Sequence, residues 1–181
     1  MGKLLKQGML IFILIIFISS SLAFIYSPSN GDPSESSFDY NGYTFNYEGQ
    51  RFVTSINDID FYFDFSPQGV SFIEIPEIPF FQEKVYLLFD AEDKDSTIDY
   101  TLDKMAYVLQ SFGINTVKAC ISEEGCSELF PVKDCVNGAV YVKKANESLI
   151  HVENDCLVLE GNDAQLIQNA DRINYELLGV I

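Results

Sequence analysis

Four carboxylates stand within six residues, at Asp90, Glu92, Asp93 and Asp95, with Asp99 close behind. Clustered carboxylates are the chemistry of hard cations, and calcium takes about 6–8 oxygen ligands. The spacing departs from the helix–loop–helix calcium motif, because no glycine stands at its bend and Lys104 occupies the place of its closing glutamate. Acids in this position also suit the N-terminus of a following helix. A solvated capping loop is therefore expected, with Asp90, Glu92, Asp93 and Asp95 as the metal candidates and no cofactor.

Other chemistries find fewer residues. His151 is the single histidine, no GxSxG or HExxH pattern occurs, and every histidine-based mechanism would have to use that one side chain. Paired carboxylates could hydrolyse sugars, but 27 acids always offer pairs and the pattern selects none of them. Arg172, beside Asp171 and Tyr175, could contact an anion, although an exposed helical ion pair is the plainer reading. No catalytic or cofactor-binding residue is assigned on this basis. Asn146-Glu147-Ser148 matches the N-glycosylation acceptor pattern in a turn.

The four cysteines, Cys120, Cys126, Cys135 and Cys156, fall in the last third of the chain and form no CxxC pair. Disulfides are expected rather than zinc. Chain proximity favours Cys120–Cys126 and Cys135–Cys156 among the three possible pairings.

The compartment in which these side chains work is set by the start of the chain. After Lys3 and Lys6, Met9–Ile25 runs 17 residues without charge, interrupted only by Ser19, Ser20 and Ser21. That length approaches a membrane span. Its core, with Ser21-Leu22-Ala23 behind it, also suits a signal peptide cut before Phe24. A pilin-type leader cut after Gly8 is a third reading, weakened by Gln7 and Ile13 where pilins carry a basic residue and a glutamate. Retained anchor or cleaved signal, the two lysines lie on the inner side and the body lies outside the cytoplasm. From Ser27 onward, 27 acidic residues face nine basic ones. A balance of −18 argues against nucleic acid as a partner.

The elements follow from periodicity. Ser27–Ser37 has linker composition. Tyr43–Tyr47, Arg51–Ile56 and Ile59–Phe65 alternate as three strands of an aromatic meander. Val70–Ile78, broken by Pro76 and Pro79, reads as an extended connection or an edge strand. Val85–Phe89, a helix carrying Ile98, Leu102, Met105, Leu109 and Phe112, and Ile114–Ile121 make a strand–helix–strand unit with parallel strands. Ala139–Lys143 and Ser148–Glu153 read as paired strands around Ala145–Glu147, followed by a strand at Cys156–Glu160. A last helix carries Leu166, Ala170, Ile173, Leu177 and Val180.

This layout, from Val85 through the cysteines to Ala170-Asp171-Arg172-Ile173-Asn174-Tyr175-Glu176-Leu177-Leu178-Gly179, resembles that of small membrane-anchored archaeal extracytoplasmic proteins. The resemblance implies envelope location and brings no activity with it. The expectation is an α+β fold: a mostly antiparallel sheet, two amphipathic helices on one face and two disulfides. Residues 1–26 form the anchor or signal, 27–37 a linker and 38–181 the domain. The expected role is a non-catalytic binding or envelope-interaction module, with the membrane and an envelope protein as partners. An extracytoplasmic enzyme or accessory subunit using carboxylates and a pilin-like subunit are the alternatives.

Overall fold

The computed structural model describes residues 37–78, 83–135 and 138–181. The apolar segment Met9–Ile25, and with it the expected anchor, lies outside the described residues. Among those described, no helix is long and apolar enough to cross a membrane.

The first sheet is the aromatic meander, with one strand more than expected. Its strands β1 (Phe38–Tyr40), β2 (Tyr43–Glu48), β3 (Arg51–Ile56) and β4 (Ile59–Phe63) run antiparallel in chain order. Asn41-Gly42 and Asn57-Asp58 join strands as two-residue turns, with φ of 47° and 87° and of 52° and 63°. Positive φ at both central positions is what lets such a tight turn match the twist of the strands. The missed strand β1 had its signal in Asn41-Gly42. After β4 the chain makes one helical turn, α1 (Pro67–Val70), and Ile73, Ile75 and Ile78 then pack on the core without joining a sheet.

The second sheet departs from the expectation of one mostly antiparallel sheet. It comprises β5 (Lys84–Phe89), β6 (Asn115–Cys120), β7 (Val140–Lys144), β8 (Leu149–Glu153) and β9 (Cys156–Gly161), in the order β6-β5-β7-β9-β8. The β5–β6, β5–β7 and β7–β9 pairs are parallel, and β8–β9 alone is antiparallel. The expected pairing of β7 with β8 is not formed. Strand β9 lies between them because Cys156, Leu157, Val158 and Leu159 are buried on both faces, which only an interior strand provides. Strand β8, with Leu149, Val152 and Glu153 exposed, takes the edge. Asn154-Asp155, with φ of 49° and 66°, closes the β8–β9 hairpin.

Helices α2 (Ser96–Ser111) and α3 (Asp163–Leu177) lie between the two sheets. Asp95 caps α2 by accepting from the Thr97 and Ile98 amides, and Gly113, at φ 78°, ends it in the left-handed conformation that glycine adopts without strain. Asn162 and Gln165 form a reciprocal capping box at the start of α3. Toward the five-stranded sheet, Ile98, Leu102, Met105 and Leu109 of α2 and Leu166, Ala170 and Ile173 of α3 bury against Val85, Leu87, Phe89, Val140, Val142, Leu157 and Leu159. Toward the meander, Val108 and Tyr175 bury against Phe45, Phe61 and Phe63.

Both disulfides form, as Cys120–Cys126 and Cys135–Cys156. The second fastens the β6–β7 connection over the far face of the five-stranded sheet, where Leu88, Ala119, Ala139 and Val158 are buried.

Candidate ligand-binding site

Helix α3 is buried at every position from Asn169 to Tyr175. A helix covered all round must satisfy each polar side chain internally, since a buried group left unpaired costs about 1–3 kcal/mol. Asn169 donates to the Glu160 carbonyl at 2.9 Å and accepts from Ser148 at 3.2 Å. Arg172 donates to the Ile73 carbonyl at 3.1 Å and to Glu176 at 2.9 Å, so the expected helical ion pair forms, but on a buried guanidinium and not an exposed one.

Asp171 closes the end of the meander. Its Oδ2 accepts from the amides of Asp64 and Phe65 at 2.8 and 2.9 Å, just past β4. Oδ1 receives no well-angled hydrogen bond, and its partner is the ammonium charge of Lys104. Lys104 also contacts Asp64, which accepts from the Tyr100 hydroxyl at 2.8 Å. Burial is the largest influence on Asp171 and raises its pKa to about 6, against the pull of Lys104 and the Phe65 amide. Burial alone would lower Lys104, but the Asp171 and Asp64 carboxylates outweigh it and its pKa is raised. Tyr175 stacks on Phe63 with ring centroids 3.9 Å apart and donates to the Phe65 carbonyl at 2.8 Å.

Beside this tie a cavity of 280 Å³ opens between β3, β4 and α2. Phe61 and Phe63 form its apolar wall, Tyr62, Tyr100 and Tyr107 surround it, and Lys104 and Asn174 line it deeper in. Arg51 and Asp103, both exposed, bring opposite charges to it. Tyr107 is steadied by donating to the Asp60 carbonyl at 2.9 Å and by an edge contact with Phe61 at 5.7 Å. Asn174 is 2% exposed. Its Nδ2 donates to the Lys104 carbonyl at 3.3 Å, and its Oδ1 has no partner. A second cavity, of 160 Å³, lies along Ile56, Ile59, Phe61, Phe112 and Leu178.

The residues singled out by sequence lie elsewhere. Asp90 accepts from the Glu92 amide at 3.0 Å, and Asp95 caps α2 and pairs with Lys144 at 2.8 Å. The Lys144 contact is the main cause that holds the Asp95 carboxyl below its ordinary range. No group of three or more metal-ligating side chains converges among the described residues. Open parallel sheets commonly bind ligands at the carboxyl ends of their strands. Here Lys144, the last residue of β7, occupies that edge by bridging Asp95 to Asp163. His151 sits half-buried on β8, with Nε2 3.7 Å from Glu153. Asn146 is exposed in the bend between β7 and β8.

Sequence reasoning passed over Lys104, Asp64, Asp171 and Asn174. Each is polar at a helical or strand position that periodicity assigns to solvent, so no pattern marked it. Comparison with protein-family models, with curated proteins and with solved structures finds no match to this chain.

Proposed function

We propose that this chain is a membrane-tethered, extracytoplasmic binding domain that takes its ligand in the cavity between the meander and α2. The observation that carries the reading is the 280 Å³ cavity itself, walled by Phe61 and Phe63 and ringed by Tyr62, Tyr100 and Tyr107, with Lys104 and Asn174 among its polar lining. A concave, mostly apolar and aromatic space with a few polar groups in its lining is the usual form of a small-molecule site.

Binding fits the cavity better than catalysis does. Lys104, the one amine in it, is held protonated between two carboxylates and is neither nucleophile nor base. Those carboxylates, Asp64 and Asp171, are in turn committed to Lys104, Tyr100 and two backbone amides. The location rests on two supports: both disulfides belong to an oxidising compartment, and Lys3 and Lys6 precede the uncharged Met9–Ile25. A formal net charge of −16 fits a partner other than nucleic acid.

Two measurements test the reading. Membranes carrying the native protein are washed with carbonate: retention with an N-terminus other than Phe24 supports the tether, and a soluble protein beginning at Phe24 replaces it with secretion. For the cavity, the amide spectrum of the folded domain is recorded against a general fragment library. Compounds that shift the Asn174 side-chain amide together with Tyr100 and Lys104 support a site there. A library that leaves all three unmoved would falsify it.

A further inference from the structure

We propose that Asn146 carries an N-linked glycan that shields the open edge of the five-stranded sheet. The modification is independent of the cavity and shares with the binding reading only the location outside the cytoplasm. Asn146 is the one asparagine of the chain with Ser or Thr two positions on, and the residue between, Glu147, is not proline. A glycan is bulky and hydrated, so its root must stand at the surface.

The fold puts it there. Because β9 lies between β7 and β8, the connection from Lys144 to Leu149 passes over the end of β9. It is pinned at both ends: the Ala145 amide donates to the Gly161 carbonyl at 2.9 Å, and the Ser148 hydroxyl donates to Asn169 Oδ1 at 3.2 Å. Between these pins Asn146 and Glu147 are exposed in a bend. The side-chain amides of Asn41, Asn169 and Asn174 donate to the carbonyls of Val180, Glu160 and Lys104, whereas Asn146 Nδ2 stands in solvent. Both disulfides belong to the oxidising compartment in which such a triplet is an acceptor. Transfer joins Asn146 Nδ2 to the anomeric carbon of a saccharide held on a phosphorylated lipid carrier. The bond from that carbon to the carrier phosphate breaks, and the lipid phosphate and the amide proton leave.

The edge gives the glycan its effect. Strand β8 is the last of its sheet and pairs with β9, which leaves a row of N–H and C=O groups open to a further strand. The opposite edge, β6, is partly closed by its own chain, since the Cys120 amide donates to the Pro131 carbonyl at 3.0 Å and the Lys133 amide to the Cys120 carbonyl at 2.9 Å. Strand β8 has no lysine or proline and exposes Leu149 and Val152. A hydrated glycan rooted just before Leu149 blocks the approach that charge or proline blocks at other edges.

Protein recovered from its native membranes is reduced and digested with trypsin, and the peptide Ala145–Arg172 is sequenced by mass spectrometry. Saccharide mass is expected on Asn146. Asn146→Gln and Ser148→Ala, made in the same organism, should lose that mass, and Ser148→Thr, which keeps the hydroxyl, should retain it. Mass that persists in Asn146→Gln overturns the site. An unmodified peptide from protein with both disulfides formed also overturns it and leaves the location standing, whereas an unmodified peptide with four free thiols overturns both. Shielding is read by sedimentation: Asn146→Gln should shift toward larger species than the glycosylated wild type, and adding Val152→Lys on the edge should reverse the shift. No shift, or a shift that Val152→Lys leaves in place, overturns the shielding of β8 and leaves the modification standing.

Discussion

On one side of α2 and α3, the five-stranded sheet presents Val85, Leu87, Phe89, Val140, Val142, Leu157 and Leu159, all at most 1% exposed. On the other side, the meander presents Phe45, Phe61 and Phe63 together with Asp64, whose charge reaches Lys104. Branched aliphatic chains interdigitate and fill space. Large flat rings and a buried charged group meet fewer shapes, and both cavities described above lie on the meander side. The aliphatic interface is thus closely packed, and the aromatic and ionic one borders both of these cavities.

Breaking the ionic tie should have the largest effect. Lys104→Met leaves Asp171 buried without its cation, and removing one partner of a buried pair costs about 3–5 kcal/mol. Urea unfolding measures the loss, and hydrogen exchange should place it in β3 and β4 before β5 and β9. A loss under about 1 kcal/mol would mean that the tie is ornamental.

The same tie has a pH dependence of known sign. Burial raises Asp171 from 3.8 to about 6, so the folded state holds this proton more tightly than the unfolded state does. Its contribution to stability is therefore greatest below pH 4 and falls as pH rises to about 6, beyond which it is constant. Lys104, Asp64 and the Phe65 amide face the group and are retained in Asp171→Asn. Urea midpoints of the two proteins at pH 4, 5, 6 and 7 should show the wild-type margin shrinking over that window. A margin that widens with rising pH contradicts the assignment.

The five-stranded sheet is probed through the staple on its far face. The Cys135–Cys156 bridge spans 21 positions, and loops of that order contribute roughly 3 kcal/mol, a model-dependent figure. Cys135→Ser, Cys156→Ser and the double variant should lose the same stability, with reductant doing likewise to the wild type. Exchange should rise in β7 and β9 first, the reverse of the Lys104 pattern. Peptide mapping without reduction that finds four free thiols removes the prediction and the oxidising compartment together.

The smallest change touches both interfaces equally. Asp95→Ala deletes the cap of α2, worth about 1 kcal/mol. Because α2 packs on both sheets, exchange should rise in β4 and β5 alike. A response confined to one sheet would show that the helix is held mainly by that side.

The contrast between the interfaces also explains what could be read from residue order. Ile98, Leu102, Met105 and Leu109 repeat at helical spacing because one aliphatic face meets one sheet, and that stripe was legible. The second face of α3 carries Asp171, Asn174 and Tyr175, which look solvent-facing in isolation and are buried only because the meander docks there. The cysteine pairing followed from proximity along the chain, but the place of β9 between β7 and β8 did not. That depended on reading Asn154-Asp155 as a tight turn and on weighing two buried faces against one. The candidate site was the least legible part, since its defining feature is a space left between β3, β4 and α2, and periodicity carries no trace of one.

The fastening of the meander also bears on the order in which the molecule is made. Asp171 lies 107 positions beyond Asp64, and Val180, whose carbonyl receives Asn41 Nδ2 at 2.9 Å, lies 139 beyond its partner. Hairpins close locally and early, whereas contacts this distant along the chain come late. A chain emerging from its N-terminus therefore completes the four strands long before the helix that covers them exists. Through that interval Phe45, Phe61 and Phe63 stand on an open sheet with unpaired edges, the state in which chains associate with one another. Biogenesis is thus most exposed to failure at the very face that later borders the cavity.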